Sequence, residues 1–151
     1  MIRRATTEEA AQVLQVMKLS LSMDSDWNGS LAMAEEHLKS SVERLFAGNE
    51  PLCLVVPKGN RIIAASLLDP EPGALNIVSG PLVLMEYRNR GIGSLLLHSS
   101  FTALRGYGLE TARGITRRNS GVARHVYSKF GGVWEPAVFE SPEERLKESK
   151  S

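Results

Sequence analysis

A mixed β-sheet with helices on both faces is the fold class this sequence predicts, and three observations carry that prediction. Segments of helical and strand period follow one another in the order β-α-α-β-β-β-α-β-α-β. One strand-like run ends in a polar, glycine-bearing loop that opens directly into a helix pattern, the junction expected of an α/β unit. The 151 residues, 42% apolar and 23% charged, suit one domain with a self-sufficient core. We place that domain at 1–140 and a polar tail at 141–151.

The chain opens with a short strand, Ile2–Ala5, and then a helix start. Thr6 can cap it and Glu9 can reach back, forming a capping box. Ala10, Val13, Leu14, Met17 and Leu21 recur at helical spacing and form its apolar face. Ser22–Gly29 breaks the pattern as a loop. Ser30 can cap a second helix, with Leu31, Ala34, Leu38, Val42 and Leu45 as its stripe and Gly48 as its stop. Leu52–Val56 and Arg61–Leu68 form a hairpin about Pro57-Lys58-Gly59-Asn60, and the proline-rich Asp69–Gly73 is a turn. Ala74–Met85 is a long strand. Its Gly80-Pro81 pair predicts a bulge or a local break, because proline cannot donate to a ladder. After the loop Glu86–Gly93 come a helix from Ser94 to about Arg105 with Leu97, Phe101 and Leu104 in the core, a strand Leu109–Thr116, a helix Ser120–Phe130 and a strand Val133–Phe139. Ser141-Pro142-Glu143-Glu144 can start a short terminal helix.

Composition excludes several function classes. Leu52–Val56 and Ile62–Leu68, the longest apolar runs, are too short to span a bilayer, and the acidic pair Glu8-Glu9 is foreign to a signal peptide. The reading is therefore cytoplasmic, with no membrane partner. Cys53, the one cysteine, reads as a small hydrophobe in a buried strand; His37, His98 and His125 lack metal-ligand spacing, so no metal is expected. The chain carries a net charge of +1, yet Glu86–Lys129 holds eight basic residues against two acidic ones. Such a bias suits a solvated basic face or a segment that holds a polyanion. Nucleic acid is an uneconomical explanation, because exposed aromatics are not interleaved with the basic residues.

The loop between strand and helix favours a small polyanion. In Arg88-x-x-Gly91-x-Gly93 the glycines permit close backbone approach, and the first-turn amides of the helix have no helical partner. The helix dipole adds positive charge at the same end, and Arg88 and Arg90 are placed to reinforce the cradle. A nucleotide-hydrolysing phosphate loop needs Lys-Ser/Thr after its last glycine, where this chain has Ser94-Leu95. The dinucleotide fingerprint needs a third small residue where Leu96 stands.

The segment instead resembles motif A of the GNAT superfamily of N-acetyltransferases, Gln/Arg-x-x-Gly-x-Gly/Ala. Three stretches carry the resemblance: Ile2-Arg3-Arg4-Ala5-Thr6 with the helix that follows, Leu82–Ser94, and Asn119–Gly132 with Ala123, Tyr127 and Phe130-Gly131-Gly132. The resemblance implies the GNAT fold, with a splayed, bulged fourth strand, and acetyl-CoA as acyl donor. It implies that Leu82 and Val83 pair with the pantetheine arm through their backbone. It implies that Arg88, Asn89, Arg90, Gly91, Ile92, Gly93 and Ser94 wrap the pyrophosphate, and that Tyr127 protonates the departing thiolate. Met85 stands where the family usually has proline. The family asparagine usually lies one residue nearer to the tyrosine than Asn119 does, so a one-residue insertion keeps Asn119 in the role or Ser120 takes its place; we assign Asn119.

The implied reaction is direct attack of a primary amine, from a small molecule or a peptide, on the thioester. A backbone N–H near Val83 would polarise the carbonyl. No general base is legible: Glu86, Asp69, Glu110, Glu135 and a water chain are all candidates. Asp24, Asp26 and Trp27, between the first two helices, suit a cationic acceptor or a plain turn cluster. Edge strands near the C-terminus are compatible with a homodimer. The alternative to an enzyme is an acyl-CoA-binding sensor or interaction module on the same fold.

Overall fold

The computed structural model describes residues 1–22, 31–48, 51–71, 74–108 and 112–114. These fall in the first of two compact units, Met1–Gly114; the second is Ile115–Ser151. Eight regular elements occur among the described residues: β1 (Arg3–Arg4), α1 (Ala10–Ser22), α2 (Leu31–Phe46), β2 (Cys53–Lys58), β3 (Arg61–Glu71), β4 (Ala74–Val83), α3 (Ile92–Gly106) and β5 (Ala112–Gly114). The expected helix at Ser120–Phe130, the strand at Val133–Phe139 and the terminal helix lie outside the described residues.

The strands form one sheet in the order β1-β2-β3-β4-β5; all neighbours are antiparallel except β5, which runs parallel to β4. A parallel neighbour requires a crossover, and α3 supplies it. Ile62 through Leu68 of β3 are buried without a break, so both faces of the sheet are covered. α1 packs on β3 and β4 and also against α2, whereas α3 packs on β2, β3 and β4 apart from that pair. This is the mixed α/β sheet with helices on both faces that the element order predicts.

Local chemistry explains the starts and turns. Thr7–Glu9 form a 3-10 turn ahead of α1, in which Glu9 accepts from the Thr6 N–H at 2.8 Å. The same carboxylate takes both ends of the Arg3 guanidinium at 2.8 and 2.9 Å, joining β1 to the helix start. These bonds, first the one from Arg3 and then the one from Thr6, hold the Glu9 carboxyl down at about 2. Between β2 and β3 a two-residue turn carries its positive φ, 62°, at Gly59.

Several boundaries differ from expectation for identifiable reasons. β3 runs through Pro70 to Glu71 instead of turning at Asp69. The Leu68 N–H is the last to reach the Leu52 carbonyl across β2, at 2.9 Å. Beyond it no strand among the described residues pairs with that side of β3, so the missing N–H of Pro70 costs no ladder bond there. The buried stripe of α1 is Val13, Val16, Met17 and Ser20, a set that Leu14 does not join and that includes a serine. In α3 the fully buried residues include Leu96 and Ser100 beside Leu97, while Phe101 is only half-buried. Cys53 is completely buried in β2, and burial pushes its thiol up to about 12.

Pairing between β3 and β4 slips twice. Ala65 faces Leu82, Leu67 faces Ser79 and Leu68 faces Ile77, so β4 carries an extra residue at Gly80-Pro81 and another at Val78. The first is the bulge that the Gly-Pro pair predicts; the second has no proline or glycine of its own to announce it. β5 pairs only with Leu75–Ile77 of β4. From Val78 to Val83 that edge of β4 has no strand partner among the described residues, and α3 begins beside it.

Candidate functional site

The site is assembled where β4 ends and α3 begins. β4 stops at Val83 rather than Met85 because Met85–Tyr87 curl into a 3-10 turn, with the Tyr87 N–H on the Leu84 carbonyl at 2.9 Å. The Arg88 N–H closes the next step on the Met85 carbonyl at 3.1 Å. Helical bonding resumes with the Leu95 N–H on the Gly91 carbonyl at 3.0 Å. Between these two bonds, the amides of Asn89, Arg90, Gly91, Ile92, Gly93 and Ser94 take no backbone acceptor among the described residues. α3 starts at Ile92, two residues earlier than its apolar pattern suggests, so the last three of these amides are its first-turn donors.

Backbone conformation turns these amides into a concave set. Asn89 and Gly91 have φ of 63° and 81°, and residues alternating into the left-handed region direct successive N–H groups toward one side. Asparagine tolerates that region and glycine occupies it freely. The two glycines differ in what they require. A side chain at Gly91 would enter open space but suffer the positive φ, whereas a Cβ at Gly93 would lie 3.8 Å from Pro81 and 4.0 Å from Val83, in ordinary contact. Gly93 thus seats the start of α3 against the bulged end of β4. Concave amides at a helix N-terminus, beside an unpaired strand edge, fit a diphosphate and the amide-bearing arm attached to it.

The strand edge itself is polarised. Leu84 donates to the Ile63 carbonyl at 3.0 Å, so by alternation the peptide groups of Leu82 also face β3 and those of Val83 face the open side. The Val83 carbonyl already accepts from Arg88 Nε at 2.9 Å and from Ser20 Oγ at 3.1 Å. Its N–H is the donor left to the open edge.

The two arginines of the loop part company. Arg88 turns inward onto Val83 and Ser20, away from the reinforcing position the loop sequence suggests for its side chain. Arg90 is exposed and lies 5.4 Å from the centre of the Tyr87 ring; Lys58 Nζ is 4.8 Å from the same ring. Glu86 is exposed, with Arg61 at 3.9 Å, and Asp69 accepts from Arg44 at 3.1 Å. Sequence reasoning missed Ser20 and its partnership with Arg88. The available signal was a serine lying on the apolar face of an otherwise regular helix.

Tyr127, Asn119, Ser120, Asp24, Asp26, Trp27, Glu110 and Glu135 lie outside the described residues, as do Arg117, Arg118 and Arg124. Among the described residues no group of three His, Cys, Asp or Glu side chains is placed to hold a metal ion. No described helix is long and apolar enough to cross a membrane.

Comparison with known proteins agrees with this geometry. The profile of the acetyltransferase (GNAT) family matches residues 18–132. No curated protein sequence matches the chain. Among solved structures, the PaiA N-acetyltransferase of Thermoplasma acidophilum in complex with coenzyme A is 18% identical, with 86% of this chain and 87% of that one covered at a TM-score of 0.66. A GNAT family acetyltransferase of Brucella melitensis in complex with acetyl-CoA is 21% identical over 87% of this chain and 80% of its own, with a TM-score of 0.67. AAC(6')-Iy, in complex with the bisubstrate analogue CoA-S-monomethyl-acetylneamine, is 15% identical over 93% of this chain and 96% of its own, also at 0.67. At these identities the likeness is one of fold.

Proposed function

This chain belongs to the acetyltransferase (GNAT) family, whose donor is acetyl-CoA, and from that premise we propose that it transfers the acetyl group to a primary amine. The observation that carries the reading is the run of unpaired amides from Asn89 to Ser94 beside the open edge of β4. Acetyl-CoA, when bound, supplies the thioester carbonyl and a thiol leaving group. Gly91, Ile92, Gly93 and Ser94, with Asn89 and Arg90, hold the diphosphate, chiefly through their N–H groups. Val83, seated on β3 by its neighbour Leu82, offers its N–H to the pantetheine arm at the strand edge. Asn119 would contact the same cofactor, and Tyr127 would give its phenolic proton to the departing thiolate sulfur, the proton lost by the attacking amine restoring the phenol through solvent.

The acceptor class is an amine of a small molecule or a peptide. Donor and acceptor held together in one slot give direct transfer without a covalent enzyme intermediate, and Cys53 is unsuited to form one because its thiol is buried and kept protonated. The reading includes a single domain over residues 1–140, a cytoplasmic location that suits an unpaired thiol, and a homodimer through edge strands.

A thiol-release assay with acetyl-CoA across a panel of amines tests the proposal, and release must depend on the amine. Tyr127→Phe should lower turnover by about a hundredfold or less, since a thiol with pKa near 8.5 leaves with little help from an acid. Turnover equal to wild type on the best amine would remove Tyr127 from the reaction.

A further inference from the structure

We infer that Arg88 is a positioning residue rather than a phosphate ligand: its side chain locks the last turn of α1 to the end of β4 and so sets the mouth of the slot beside Val83. The inference rests on the acyl-CoA reading above and deepens it. Arg88 Nη2 donates to the Ser20 carbonyl at 2.9 Å and to Ser20 Oγ at 3.1 Å, while Nε donates to the Val83 carbonyl at 2.9 Å. Ser20 Oγ completes a triangle by donating to the same Val83 carbonyl at 3.1 Å.

Both carbonyls lie where regular pairing runs out among the described residues. α1 is described to Ser22, so the Ser20 carbonyl lies in its last turn, and no described helix N–H reaches it. The Val83 carbonyl points away from β3, toward the edge that β5 does not reach. A cation at the C-terminal end of a helix also meets the negative end of its dipole. One planar guanidinium therefore serves orphan acceptors on two elements at once. Lysine, with a single ammonium on a flexible stem, cannot span them in a fixed geometry.

The consequence falls on the slot. Val83 presents its N–H to the open edge only while its carbonyl is engaged and the strand end is held. Ser20 is completely buried, so the tie lies beneath the surface, whereas Arg90, two residues on, is exposed. Arg88 thus anchors the donor strand to the last turn of α1.

The test separates gripping a diphosphate from shaping a slot. Coenzyme A and pantetheine, which lacks the diphosphate, are titrated into the full-length wild type, Arg88→Gln, Arg88→Lys, Ser20→Ala and the Arg88→Gln/Ser20→Ala double variant. Calorimetry reads the first ligand and NMR shifts the second. A positioning role predicts that Arg88→Gln weakens both ligands by the same factor, about tenfold, and that Arg88→Lys does not rescue it. Ser20→Ala should weaken both less, and the double variant should be no worse than Arg88→Gln, because the residues share one network. Loss confined to coenzyme A would overturn the role in favour of a phosphate ligand; additive losses, or no loss, would also overturn it. Should Arg88→Gln fail to fold, Ser20→Ala carries the same prediction of equal weakening. A wild-type chain that bound neither ligand would overturn the acyl-CoA reading and this role with it; variants that match a binding wild type would overturn this role alone.

Discussion

Two turns of this protein use the same residue types to opposite effect. Lys58-Gly59-Asn60-Arg61 and Arg88-Asn89-Arg90-Gly91 each combine basic side chains with asparagine and glycine, and each adopts positive φ: 62° at Gly59, then 63° and 81° at Asn89 and Gly91. In the first, Lys58 pairs with Arg61 and the flanking strands consume the backbone groups. In the second, a strand enters but a helix leaves, and six successive amides stay without a backbone acceptor among the described residues. Turn chemistry reverses a chain in either case. What makes a binding site is the mismatch between the element that arrives and the element that departs, because a helix start cannot satisfy its own first donors. The turns also meet: Lys58 and Arg90 approach the Tyr87 ring at 4.8 and 5.4 Å, so the closed turn buttresses the open one.

The contrast breaks most directly at the second turn. Gly91→Glu sets a carboxylate against the amides and forces a side chain onto a φ of 81°. Calorimetry should show coenzyme A affinity falling by at least about a hundredfold, close to 2.7 kcal/mol. If the folded variant bound coenzyme A at wild-type strength, the amides would not be the cradle.

A smaller effect is expected beside the first turn, where Arg3 and Glu9 share a recess with Pro57, Gly59 and Asn60. The carboxyl of Glu9 titrates near 2 in the folded protein against an ordinary 4.5, so its contribution to stability is complete above 4.5 and drains away as pH falls toward 2. Solvent screening leaves about 1–2 kcal/mol of it. The thermal midpoint should therefore drop across that window, and Glu9→Gln should flatten the drop while coenzyme A affinity at neutral pH is kept. An unflattened profile would assign the acid sensitivity elsewhere.

The smallest change sharpens the comparison further. Gly59→Ala places a side chain on a φ of 62° and should cost about 1 kcal/mol of stability in urea titration. Nothing lies within 4 Å of the added Cβ, and coenzyme A affinity should stay at its wild-type value. A parallel loss of affinity would show that the two turns act as one unit.

Much of this was readable from residue order. The Gly80-Pro81 bulge follows from the missing proline donor, the glycine loop announces a turn, and the capping pair Thr6 and Glu9 marks the first helix. The Val78 bulge was not readable, because valine carries no mark of irregular pairing. Neither was the strand through Pro70: proline reads as a turn until it is known that no described strand pairs with that side of β3. The direction of Arg88 was also hidden, since charge near a phosphate loop suggests the anion, not two carbonyls of the protein's own backbone.

By itself, then, the sequence determined the elements of the described residues, their order and the place where a helix would begin with unsatisfied amides, since these depend on local periodicity and on groups a few residues apart. Only the tertiary structure decided which side of β4 stays open, which peptide faces it, and that Arg88 serves Ser20 and Val83. Those facts depend on hydrogen-bond alternation across strands and on acceptors orphaned in separate elements, and a backbone carbonyl left without a partner has no letter in the sequence to mark it.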